Sequence, residues 1–222
     1  MGKMTLSDVE FDRLLNRAAE LRGHLCIGLP LGLKMASLGL RLLGVKGEKD
    51  YDNLIVFVES DRCTVDAIQV MAKCSAGSRR LKVLEYGKSA ASFIDRRTGT
   101  GFRIVTKNDF MKDATELAIK DGIMEEGQSV GEGSQLERRV MMNAFMKMTP
   151  EELFDAQEVI LERSYVNEHK RTHEKVLCSN CGETVMDGKG TTLGDRVLCR
   201  ACSGGAYYRV VKSRVLLGDD RD

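Results

Sequence analysis

No apolar run in this chain approaches the roughly 18–20 residues needed to cross a bilayer, which excludes a membrane-spanning helix. An excess of one charge is missing too. Lys and Arg number 34 against 33 Asp and Glu, so the net charge of +1 makes no general case for nucleic acid or an anionic membrane surface. The opening "MGKMTLSDVEFDRLLNRAAEL" lacks the continuous apolar centre of a secretory signal, and the cytoplasm is the expected compartment. Proline occurs twice, histidine three times and tryptophan not at all. There is no internal repeat and no low-complexity tract. The apolar content of 42% is ordinary for a packed globular chain.

Sulfur is what the chain has in quantity. Seven cysteines, an odd count containing two C-x-x-C pairs, argue for metal ligation over disulfides. "CSNCGETVMDGKGTTLGDRVLCRAC" carries Cys178, Cys181, Cys199 and Cys202 as C-x2-C-x17-C-x2-C. Each pair sets two sulfurs on one tight turn, and two such turns close a tetrahedron around zinc. Gly182, Gly188 and Gly190 allow a knuckle and a short hairpin. So small a segment cannot bury enough surface to fold alone. Zinc ligation, on the order of 10–16 kcal/mol, would fold it. Four thiolates leave no open position, so the site is expected to be structural. From Lys175 to Asp222 there are eight Lys and Arg, six Asp and Glu, and Tyr207 and Tyr208 as the only aromatic residues. That is no basic stripe with stacking residues, so a protein contact or dimer brace is favoured over nucleic acid, which is not excluded.

The rest reads as α+β. Ser7 and Glu10 form a capping-box pattern ahead of an apolar face of Phe11, Leu14, Leu15, Ala18 and Leu21, with Gly23 as the stop. A second helix is expected from about Leu29-Pro30 through "LGLKMASLGLRLLGV". "NLIVFVES" is a buried strand and "CTVDAIQVMAKC" a helix, followed by strands at "LKVLEYG", "AASFIDR" and "FRIVTK". Helices are expected from Asn108 to about Lys120 and from Gln135 to Met148, with a glycine-rich connection at 122–134 that reads as a solvated loop or a lid. The methionines of "MMNAFMKM" are expected to fill the core. Thr149, Pro150 and Glu152 supply a further capping box before a last strand, "AQEVILERSYV". The expected organisation is a core at 1–166, a charged linker at 167–175 and the four-cysteine domain at 176–222. His169 and His173 stand one helical turn apart within that charged region, and a solvated linker is the preferred reading.

A second group of donors lies in the core. "RGHLCIGLPLG" places His24 and Cys26 two residues apart between glycines. Side chains so spaced diverge on a helix but can converge in a loop. Cys26 precedes a helix start, where free amides and the dipole favour a thiolate, and so does Cys63, which follows a strand. Asp66 lies on the face of Cys63. Cys74, eleven residues beyond Cys63, would stand about 16 Å up a continuous helix and could join it only if the helix broke first. A lone cysteine also packs as a small hydrophobe and a lone histidine satisfies backbone groups, so the residues leave a ligand site and plain packing both open.

"GHLCIGLPLG", "VESDRCTVDAIQVMAKCSAG", "LEYGKSAASFIDRRTGTGFRI" and "TPEELF", in this order, resemble the FmdE family of formylmethanofuran dehydrogenase proteins. The resemblance implies an α+β core, an auxiliary treble-clef-like zinc finger and a homodimer. It also implies a place beside a molybdenum or tungsten enzyme whose catalytic centre lies in other subunits. It puts His24, Cys26, Cys63 and Asp66 at the family's motif positions and implies a second metal ion in the core. The family's G-C-T-x-G-K stretch departs here to "KCSAGS", with Arg79 and Arg80 as substitute charges. Three function classes stay open: an accessory metal-handling subunit, a zinc-finger or metal-sensing regulator, and an enzyme using the Cys26 thiolate or a core metal.

Overall fold

The computed structural model describes residues 7–162, 165 and 172–209. The chain divides into two compact units, Met1–Leu161 and Glu162–Asp222. In the first, the elements run α1 (Asp8–Arg22), α2 (Gly28–Leu43), α3 (Glu48–Asp52), β1 (Leu54–Val58), α4 (Thr64–Ala72), β2 (Leu81–Val83), β3 (Ala90–Asp95), β4 (Thr100–Thr106), α5 (Phe110–Lys120), α6 (Gln135–Lys147), α7 (Pro150–Leu153) and β5 (Phe154–Ile160). The class is α+β. Five strands form one mixed sheet in the order β2-β1-β3-β4-β5. Only the β1–β2 pair is parallel, with Val56 opposite Leu81, because α4 carries the chain across between those two strands. The remaining pairs are antiparallel.

Local chemistry sets the boundaries. The Ser7 hydroxyl accepts the Glu10 amide at 3.3 Å, which is half of the expected capping box. The Glu10 carboxylate turns to Arg13 instead, at 4.0 Å. Gly23 ends α1 at φ +90°, a left-handed conformation that side chains rarely adopt. At α7 both halves of the box form, with Glu152 reaching back to the Thr149 amide at 2.6 Å. The short α3, which no periodicity announced, is held by the Asp50 carboxylate accepting the Lys46 and Gly47 amides at 2.8 and 2.9 Å. β5 starts at Phe154, two residues ahead of the expected strand, and ends at Ile160; Leu161 and Glu162 are no longer strand, and most of the expected strand beyond them lies outside the described residues.

α2 is the centre of the unit. It packs against α1, α4, α6, β3 and β4, and apolar residues are buried around most of its circumference. Three glycines make that possible. A methyl group on Gly32 would sit 2.6 Å from the Thr64 carbonyl oxygen and 2.8 Å from the Ala67 Cβ, and one on Gly39 would sit 2.1 Å from the Phe93 ring. The third, Gly28, lies against Cys63. The missing side chains let α2 close on α4 at one end and on the sheet at the other. Phe93, Val56 and Phe102 stand side by side on that sheet face. Gly32→Ala is expected to destabilise the core by about 1–3 kcal/mol through overpacking, read from the midpoint of urea unfolding.

One charge enters this apolar layer. Lys34 of α2 donates to the carbonyls of Met146, at 2.9 Å, and Met148, closing the end of α6. Desolvation lowers its pKa from 10.5 to about 8, against the pull of Glu152. Between those values the unfolded chain holds a proton that the folded chain has released, so this residue adds stability as the pH rises from about 8 to 10.5. Thermal melts across that range should climb less steeply in Lys34→Met than in the parent chain.

The second unit holds two hairpins, β6 (Lys175–Leu177) with β7 (Thr184–Met186) and β8 (Thr191–Leu193) with β9 (Arg196–Leu198), and a short helical turn at Ala201–Gly205. His169 lies outside the described residues, and His173 is exposed.

Candidate metal centres and an adjoining cavity

The C-terminal unit brings its four cysteines to one point. The ligand atoms of Cys178, Cys181, Cys199 and Cys202 lie within 4.8 Å of one another, a group that can hold a metal ion. Cys178 and Cys181 flank a knuckle between β6 and β7. The Gly182 amide donates to the Cys178 carbonyl at 2.9 Å, and Gly182 takes φ +74°. Cys199 and Cys202 follow β9 and lead into the helical turn. The Cys199 amide donates to the Cys178 sulfur at 3.3 Å, and the Asn180 side chain donates to the Cys202 sulfur at 3.3 Å. Donation by the amides of Cys181, Cys199 and Asn180 lowers the Cys178 thiol to about 6, so it is poised as a thiolate. Little apolar surface supports this unit, since Leu177, Met186 and Leu193 are exposed and Leu198 is its one buried aliphatic residue among those described. Chelator treatment is therefore expected to speed tryptic cleavage at Arg196 and Arg200 by about tenfold or more, followed by mass spectrometry of the fragments.

The core candidates divide. Cys63 caps the start of α4 and Cys26 lies just ahead of α2. The Cys26 thiol lies close enough to Cys63 to raise its pKa, and the Gly28 amide, packed under the Cys63 sulfur, acts against that rise. Gly28 allows this meeting: a methyl group there would lie 2.4 Å from that sulfur. The Cys63 pKa is raised, first by burial and then by the Cys26 thiol, which overrides the helix-start effect expected from its position. His24 is exposed on the same loop. Among the described residues the four finger cysteines are the one group of three or more such donors gathered within 4.8 Å, so His24 does not complete a three-donor set with Cys26 and Cys63. Asp66 pairs with Arg22, 3.8 Å from its guanidinium. Cys74 lies beyond the end of α4, because Lys73 turns the chain at φ +47°. Burial pushes its thiol up to about 11. The Arg80 guanidinium is used by the Tyr51 and Lys73 carbonyls at 2.6 and 2.7 Å.

His24 and Cys26 open onto a cavity of about 740 Å³. Its other wall is α6, which presents Arg138, Arg139, Met142 and Met146, with Ile123 from the connection after α5. The methionine cluster is thus split: Met148 packs in the core, while Met142 and Met146 line this space. The 122–134 connection is likewise pinned at one end by buried Met124. A second feature had no sequence signal. Glu59, 6% exposed at the end of β1, takes a two-pronged ion pair from Arg103 at 2.6 and 2.8 Å, and Gln157 accepts from Arg103 at 3.1 Å. It ties β1, β4 and β5 together behind the Cys63 turn.

The family model described as FmdE, Molybdenum formylmethanofuran dehydrogenase operon, matches residues 21–155, a span that holds His24, Cys26, Cys63 and the α6 wall. The chain belongs to the FmdE family. An Archaeoglobus fulgidus protein named "Probable S-adenosyl-L-methionine-binding protein" is 31% identical over 210 residues, covering 90% of this chain and 54% of its own length. The chain therefore spans about half of that relative. The crystal structure of a tungsten formylmethanofuran dehydrogenase FmdE-like protein from Syntrophus aciditrophicus has the same fold, with a TM-score of 0.64 at 21% identity over 94% of this chain and all of that one. Among the described residues no helix is long and apolar enough to cross a membrane.

Proposed function

We propose that this FmdE-family chain is a cytoplasmic, homodimeric accessory protein that handles a soft metal for a molybdenum or tungsten oxidoreductase. Cys26 and Cys63 are the metal-holding pair, and the C-terminal finger carries structural zinc. The observation that carries the reading is the nearness of two cysteines from two helix starts, one of which, Cys26, lines an open cavity. Two thiolates suit soft metals, and a site with two protein sulfurs keeps positions free for transfer, unlike the closed four-cysteine set. His24, two residues from Cys26 on the same loop, stands outside a three-donor set with the two thiols, so the other positions on a bound ion are left to exchangeable ligands. Family membership supports the association with a larger enzyme.

Metal content per chain, measured anaerobically after purification with reductant, tests this. The parent chain should carry a second ion beyond the one in the finger. Cys26→Ala and Cys63→Ala should each lose that ion while keeping the finger's. One ion per chain in all three proteins, with no further uptake on adding soft divalent metal, would remove the proposal.

The archaeal relative supports a second reading, in which this chain binds S-adenosyl-L-methionine. A cavity of about 740 Å³ is large enough for it. Isothermal titration with that compound decides the matter, and an absence of heat at millimolar ligand would retire the reading.

A further inference from the structure

The wall that faces Cys26 carries charge with no use inside the protein. Arg138 and Arg139 both line the cavity, yet neither has a carboxylate within ion-pair distance among the described residues. The acid closest in role, Asp121, is already taken by the Asn143 side chain at 2.6 Å and by Lys147 at 2.8 Å. Among the described residues no carboxylate pairs with either guanidinium. Consecutive helical residues diverge by about 100°, so two that border one cavity reach its contents from different sides. Guanidinium forks match carboxylate and phosphate oxygens in pairs.

The remaining walls have the opposite character. Ile27, Ile123, Met142 and Met146 surround the space with hydrocarbon and thioether. Its volume of about 740 Å³ lies in the range of sites for organic ligands and far exceeds the needs of a bare oxyanion. Methionine side chains adjust to ligands of varied shape. A ligand without an anionic group would leave both guanidiniums unpaired, and a wholly polar anion would leave the apolar walls unsatisfied.

We propose that this cavity binds an organic anion, its carboxylate or phosphate head held by Arg138 and Arg139 and its apolar body against Ile27, Ile123, Met142 and Met146, beside Cys26. The inference deepens the metal-handling reading by naming the ligand class of the same site, and it rests on that reading only for what the thiols contribute.

The test uses the full, reduced chain and 8-anilinonaphthalene-1-sulfonate, a fluorescent anion with an apolar body. Binding is expected to saturate at one site and to be displaced by octanoate or octyl phosphate, the stronger competitor identifying the head group. Octan-1-ol, with the same tail and no charge, should compete about tenfold more weakly or worse. Arg138→Ala with Arg139→Ala should weaken binding by about tenfold or more, while lysine at both positions retains part of it and Arg17→Ala leaves it unchanged. Both arginines are exposed, so the far-ultraviolet circular dichroism of these variants should match the parent's. Unsaturable binding, equal displacement by octanol, or an unchanged double-alanine variant would overturn the inference. Metal content separates the two claims. A chain that lacks the core ion but still releases the probe to octanoate defeats the metal-handling reading alone, and a chain that holds the ion without charge-dependent displacement defeats this one alone.

Discussion

The approach of α2 to α4 is the contact on which the rest of the core depends. It exists because Gly28 and Gly32 present bare backbone where any larger residue would meet Cys63 or Thr64. Close helix contact maximises dispersion between the two surfaces, and interiors this dense transmit any displacement. The same closeness decides where the chemistry sits. Both helices begin at that end of the contact, so Cys26, leading into one helix, comes near Cys63 at the start of the other.

Two sulfur sites with different supports result. In the four-cysteine unit, hydrogen bonds from backbone amides take much of a core's place, since Leu198 is its one buried aliphatic side chain among the described residues. In the first unit the two cysteines are brought together by the packing of α2 on α4. Burial keeps the Cys63 thiol protonated more readily than a free one, so loading a metal there means displacing a proton against desolvation.

Much of this was legible in the residues. The C-x2-C-x17-C-x2-C spacing required the four sulfurs to meet, because two tight turns leave them few alternatives. The α+β class and most helix ends followed from periodicity and from Gly23 and Thr149. The Cys26–Cys63 pair was only half visible: helix-start positions suggested ligands, but contact between them depends on Gly28 fitting under a sulfur 35 residues further along the chain. His24 shows the limit of reading spacing alone, since proximity in sequence to Cys26 did not bring its ring into a three-donor group with both thiols. Arg138 and Arg139 gave no signal because a solvated helix face and a cavity wall are written with the same residues. Lys34 and the Glu59–Arg103 pair were hidden for a related reason, their partners being distant in sequence.

The missing side chain at Gly28 has a genetic corollary. Its backbone touches the sulfur of Cys63, so neither position can drift independently. A lineage that gave up the thiol for a smaller residue would free its neighbour to acquire a Cβ, whereas one that kept the thiol must keep the glycine. Across descendants of this fold, loss of the chemistry would leave a trace not at the reactive atom alone but also in the wall it leans on.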